Sequence, residues 1–252
     1  MSEQTYEAVR LRVDGAVATV TLHRPEALNA LTPTMIDELG DALEAALGRD
    51  DVAVVVITGE GRAFSAGVDL KSLGGRRLEG GAVGDVLDVP GRRVADLVTG
   101  ADKVVVAAVN GHCFTGALEL VLFCDVVVAA DEAVFGDTHA KWGIRPSWGM
   151  SQRLPRLVGP ARARWLSYTA RTFTGVEAAQ WGLAAFSVPR AELDGAVAEL
   201  AATIAANSRG TLAAYKDLYR AAERLPLPDG LAYEAATQYP IDDTEPRIAR
   251  FR

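Results

Sequence analysis

Cysteine is scarce in this 252-residue chain, with only Cys113 and Cys124 present. Two thiols supply no disulfide framework and no metal-ligand spacing, so neither a disulfide scaffold nor a metal site is expected. They read as buried thiols in a reducing compartment, and a cytoplasmic location is expected. Basic residues are few relative to acids: 26 Lys and Arg against 33 Asp and Glu give a net charge of −7. A chain that grips a phosphate backbone carries a basic face, so no nucleic-acid partner is expected. Small anionic ligands stay open, because local backbone N–H groups can bind them. Long apolar runs are missing too. The most apolar stretch, LELVLFCDVVVAA, is broken by Glu119 and Asp125 and is too short to span a bilayer, so no membrane partner is expected. The opening MSEQTYEAVR is polar and lacks the charged-then-apolar order of a signal peptide. Histidine is rare, with three in the chain, and His139 sits inside FGDTHAKWG between an acid, a hydroxyl, a base and an aromatic. Imidazole titrates near neutral pH, which leaves a catalytic role physically open.

The residues that are present alternate between strand and helix patterns. YEAVRLRV and AVATVTLHR flank Asp14-Gly15 and read as a hairpin. LTPTMIDELGDALEAALG has helical spacing, with Thr32 as N-cap and Pro33 at the first helical position. DVAVVVITG, KVVVAAVNG and CDVVVAA read as strands buried on both faces. Residues 74–91 are rich in glycine and read as a mobile surface loop. Beyond Pro189 the pattern turns helical through AELDGAVAELAATIAANS, GTLAAYKDLYRAAERL and DGLAYEAATQYP. The class is α/β, with a core over 1–188 and a helical region over 189–252.

An internal repeat carries the functional signal. VVVITGEGRAFSAGVDL (54–70) aligns without a gap on VVVAAVNGHCFTGALEL (104–120), each residue n matching n + 50. Gly61 matches Gly111, Phe64 matches Phe114, Ala66 matches Gly116, and Asp69-Leu70 matches Glu119-Leu120. The repeated unit reads as a buried strand, a tight turn and a helix start. A tiny residue at such a corner has an unpaired backbone N–H that a ligand can approach. Two corners packed side by side would aim the N–H groups of Ala66 and Gly116 at one oxygen, forming an oxyanion hole. GEGRAF fails as a dinucleotide fingerprint, because Phe64 stands at the third glycine. AFSAG fails as a nucleophile elbow, because Ala63 replaces the first glycine, and Asp69 reads as a cap on a following helix.

These residues resemble the crotonase (enoyl-CoA hydratase/isomerase) superfamily over nearly the whole chain. The resemblance is carried in order by HRPEALNALTPTMIDEL, AFSAGVDLKSL, AAVNGHCFTGALELVLFCDVVVA and FGDTHAKWGIRPSWGMSQRLPRLVG. It implies a left-handed crotonase-like ββα spiral core with an α-helical C-terminal trimerisation region, assembled as a homotrimer or homohexamer. It implies an acyl-CoA or enoyl-CoA substrate, with no separate cofactor because CoA is part of the substrate. By position, Ala66 and Gly116 match the oxyanion donors. Ala66, Gly67, Val68 and Asp69 match the substrate-binding run, and Ala27 and Leu28 match the region along the CoA. Glu119 matches the first catalytic carboxylate; it interrupts an apolar helix, so it should be partly buried with a raised pKa.

Two departures bear on the reaction. The second catalytic glutamate of hydratases is replaced by His139, with Asp137 two residues earlier. His139 then either takes over proton transfer or only shapes the pocket beside Glu119 and Asp137. Trp148 stands where small residues are usual, either narrowing the acyl pocket or stacking at a subunit interface. The implied activity is an enoyl-CoA hydratase-like lyase. A double-bond isomerase, a thioester hydrolase and a non-catalytic acyl-CoA-binding protein are the alternatives, since one scaffold hosts many reactions.

Overall fold

The computed structural model describes residues 1–74 and 79–250. Strand β1 (Ser2–Thr5) pairs antiparallel with β2 (Val9–Asp14), which turns into antiparallel β3 (Val17–Leu22). Helix α1 (Pro33–Leu47) follows; Thr32 Oγ1 accepts from the Met35 N–H at 3.1 Å and Pro33 opens the helix. This N-cap and proline match the sequence expectation. They satisfy an orphan donor and remove one that has no partner.

The chain then winds as a spiral that gives one strand to each of two sheets per turn. β4 (Val54–Gly59) is followed by β5 (Ala63–Ser65) and, after a connection, by α2 (Asp85–Gly100). The next turn is β6 (Val104–Val109), β7 (His112–Phe114) and α3 (Gly116–Val121). The third is β8 (Val126–Ala130), β9 (Val134–Gly136) and α4 (His139–Trp142). Helices α5 (Met150–Val158) and α6 (Pro160–Thr169), strand β10 (Thr172–Thr174), helix α7 (Gly175–Gln180) and strand β11 (Phe186–Val188) complete the core. The large sheet runs β1-β2-β3-β4-β6-β8-β11 and is parallel from β3 onward. The small sheet runs β10-β9-β7-β5.

The sequence repeat is the ladder itself. Val54 lies beside Val104, and the pairing continues to Thr58 beside Ala108, so the n + 50 alignment is the β4–β6 register. These strands are buried on both faces, which explains their unbroken valine and alanine runs. In the small sheet the register slips at an irregularity in β5, where Ala63 faces His112 and Ser65 faces Cys113. The helix start does not repeat: α3 begins at Gly116, whereas the chain after Ser65 bends into turns.

The loop expected over 74–91 needs correction. Residues 85–91 form the first turns of α2, and residues 75–78 lie outside the described part of the chain. The helix survives its internal Pro90 and Gly91 because Leu87, Val94 and Val98 bury against the core, and that burial outweighs their poor propensity.

The helical region is α8 (Leu193–Ala205), α9 (Arg209–Ala222), α10 (Leu227–Ala236) and α11 (Thr244–Ala249). α9 is stapled to the spiral by buried Lys216. Its ammonium donates to Val98 O and Lys103 O at 2.9 Å each and to Asp125 Oδ2 at 2.7 Å.

Candidate active site

Glu119 projects from the first turn of α3 and is 2% exposed. The corner before it is strained: Thr115 sits at φ 52°, ψ −110°, a region that favours glycine. Its N–H donates to Gly136 O at 2.9 Å, and its hydroxyl meets that of Thr138 at 2.5 Å. Both contacts tie the corner of the second spiral turn to the third. Glu119 Oε1 accepts from the Trp148 and Met150 N–H groups at 3.0 Å each. Met150 is the first residue of α5, so the carboxylate sits on a helix N-terminus. Burial pushes the Glu119 carboxyl above the ordinary carboxylate range; the two N–H donors and the nearby His139 offset part of that.

His139 is buried and held from behind. Its Nδ1 lies 2.7 Å from Asp137 Oδ1, and Asp137 Oδ2 accepts from the Ser167 hydroxyl at 2.6 Å. Burial raises the Asp137 carboxyl, but hydrogen bonds from His139 and Ser167 outweigh it and hold the group below its usual value. An ionised carboxylate only accepts, so Nδ1 carries a proton. His139 Nε2 therefore faces Glu119 Oε2 across 3.6 Å. That gap is too long for a direct hydrogen bond, and both groups line the same cleft.

Of the two N–H groups expected to face one oxygen, that of Ala66 is not free. The Ala66 N–H donates to Leu28 O at 2.9 Å, so it is already used. The Gly67 N–H donates to Ser65 Oγ at 3.1 Å. Among the described residues the Val68 N–H has no partner, and neither does the Gly116 N–H at the start of α3. The two residues adjoin: Val68 Cγ2 lies 3.4 Å from where a Cβ on Gly116 would stand. The reason is local geometry. Gly67 has φ +86°, and the segment runs as a bridge beside Leu31 instead of entering a helix. Leu31 bonds to Gly67 O and to the Asp69 N–H, which leaves the N–H between them, that of Val68, free. A Cβ on Gly67 would meet Phe114 O at 2.6 Å, so only glycine lets the two corners approach this closely.

The cleft between these groups opens to solvent. Its walls include Ala66, Val68, Gly116, Glu119, His139 and Trp148. Of the other positions expected from sequence, Ala27, Leu28, Gly67 and Asp69 stand outside its wall. Ala27 ends a short turn, and Leu28 holds Ala66 in place. Asp69 caps a turn, accepting from the Lys71 N–H at 3.0 Å; residues 70–74 run as turns, not as the helix it was expected to cap. Sequence reasoning missed Ser167, the Trp148 and Met150 donors, and Val68 as a donor. Only Val68 left a signal, by standing next to an obligatory glycine. Among the described residues no group of three or more His, Cys, Asp or Glu side chains could hold a metal ion.

The family model described as enoyl-CoA hydratase/isomerase matches residues 12–247. A probable mitochondrial enoyl-CoA hydratase of Dictyostelium discoideum is 37% identical over 220 residues, covering 87% of this chain and 78% of that protein. A hydroxycinnamoyl-CoA hydratase-lyase of Pseudomonas fluorescens is 35% identical over 229 residues, covering 88% and 82%. The crystal structure of an enoyl-CoA hydratase from Bacillus anthracis superposes with a TM-score of 0.84 at 31% identity, covering 91% of this chain and 88% of that one.

Proposed function

This chain belongs to the enoyl-CoA hydratase/isomerase family, and on that premise we propose that it is a hydratase-like lyase adding water across the 2,3 double bond of an enoyl-CoA thioester. The carrying observation is the pairing of two proton-transfer groups, Glu119 and His139, across a 3.6 Å gap in one cleft. The Val68 and Gly116 N–H groups receive the thioester oxygen and stabilise the charge that develops there. Glu119, as carboxylate, takes a proton from water while the water oxygen bonds to the β carbon. The electron pair of the double bond moves onto the α carbon and the thioester oxygen as an enolate. His139 returns a proton from Nε2 to the α carbon, and Asp137, bonded to Nδ1, holds the ring from behind. The proton held by Glu119 then passes across the gap to His139, which restores both groups, so water is consumed whole and the thioester stays intact. CoA enters as part of the substrate, and no separate cofactor is assigned.

The same proposal places the protein in the cytoplasm as a homotrimer or homohexamer. Free Cys113 and Cys124 support the location, and exposed Leu227, Leu231 and Ile248 on the C-terminal helices support assembly. Among the described residues no helix is long and apolar enough to cross a membrane. The test is loss of conjugated double-bond absorbance from trans-2-butenoyl-CoA. Wild type should turn it over, and Glu119→Gln and His139→Ala should each lower kcat/KM by about 10²–10⁴-fold. Full activity in both variants would refute the assignment.

A further inference from the structure

Trp148 stands between the catalytic cleft and the apolar core. Its indole is part of the catalytic cleft beside Gly116, Glu119 and His139. Its other side packs on a closely set apolar wall that includes Leu31, Ile36, Leu39, Val94, Leu120 and Phe123. That second wall is entirely apolar, as an acyl chain requires. The indole is fixed at several points. Its Nε1–H donates to Asp88 Oδ1 at 3.1 Å, and Ser147 Oγ donates to the same oxygen at 2.7 Å. Its backbone N–H holds Glu119 Oε1 at 3.0 Å. Two glycines make room for the ring. A Cβ on Gly91 of α2 would fall 2.5 Å from Cε2, and one on Gly116 would fall 3.1 Å from Cζ3.

We infer that Trp148 is the end wall of the acyl pocket and the residue that restricts this enzyme to short acyl chains, with the apolar side chains behind it as the wall that a smaller residue would uncover. The inference rests on the acyl-thioester reading of the cleft. With the carbonyl oxygen between the Val68 and Gly116 N–H groups and the β carbon between Glu119 and His139, carbons further along the chain meet the indole ring. Asp88 holds that ring against rotating aside. Packing alone distinguishes substrates modestly, by about 10–200-fold for each methylene gained or lost in an apolar pocket. A bulky ring across the path stops several methylenes together.

The experiment compares Trp148→Ala and Trp148→Leu with wild type. It measures kcat/KM for trans-2-butenoyl-CoA and trans-2-decenoyl-CoA, and binding of saturated decanoyl-CoA by calorimetry. Wild type should prefer the four-carbon substrate by about 100-fold or more. Trp148→Ala should shrink that preference by about tenfold or more and gain decanoyl-CoA affinity. Trp148→Leu should move the same way by less, and it carries the test if the alanine variant fails to fold. Equal use of both chain lengths by wild type, or an unchanged ratio and unchanged decanoyl-CoA binding in the folded variants, overturns the inference. Gained decanoyl-CoA binding with no turnover of any enoyl-CoA leaves the end wall standing and removes the hydratase assignment instead.

Discussion

At the scale of single residues, the site stores instability where it needs chemistry. Glu119 is buried, and burial raises its carboxyl above the ordinary carboxylate range. A carboxyl with a raised folded-state pKa contributes stability that is complete below its unfolded value and lost as pH rises through the folded value. Glutamine at the same place cannot ionise. Glu119→Gln should therefore melt higher than wild type at neutral pH, with the advantage disappearing below the unfolded carboxylate range; thermal melts across pH check this. Asp137 acts through His139. Asp137→Asn should lower kcat by about 10²–10⁴-fold, in line with losing the partner that sets an imidazole tautomer. Its KM should change little, and its pH–rate profile should shift. A purely structural role would leave the profile in place. Glu119 and His139 were both legible in sequence, because a carboxylate interrupting LELVLF and a histidine beside an acid stand out. Val68 was not: the repeat treats both corners as helix starts, and only the positive φ of Gly67 and the bond from Ala66 to Leu28 show that the free N–H lies two residues on.

Among the elements, the strands were the most legible. Unbroken β-branched runs have one physical explanation, burial on both faces, and the n + 50 alignment became the β4–β6 register. Helix α2 was the least legible, because Pro90 and Gly91 read as breakers while tertiary burial of Leu87, Val94 and Val98 overrides them. Those breakers have uses here: Gly91 seats the Trp148 ring, and Asp88 one turn earlier holds it. Helix α9 depends on one contact of a different kind. Lys216 is buried and reaches out to Asp125 at the surface, whose carboxyl is raised by desolvation and pulled back mainly by the lysine. Lys216→Ala removes three hydrogen bonds from a buried ammonium and leaves Val98 O and Lys103 O without it, and should cost about 1–3 kcal/mol in urea unfolding. Lys216→Met should lose less than Lys216→Ala, since it keeps the buried stem packed.

For the whole molecule, the spiral brings residues from three successive turns to one cleft. Val68 comes from the first turn, Gly116 and Glu119 from the second, and His139 and Asp137 from the third. Sequence order alone could not show that Leu28 would occupy the Ala66 N–H, or that Ser167 would reach Asp137 from α6. Those contacts join segments about 30 residues or more apart, and only the winding of the chain creates them. The exposed Leu227, Leu231 and Ile248 lie on the helical region and need cover. Light scattering should return three or six times the chain mass; a monomer at assay concentration would contradict the assembly. The central claim is that the cleft adds water to an enoyl thioester. Turnover of trans-2-butenoyl-CoA in heavy-oxygen water, read by mass spectrometry, tests it most directly. The predicted product is an intact thioester heavier by one labelled water, with the label on the β carbon. An unchanged mass, or free CoA with an unhydrated labelled acid, would contradict it.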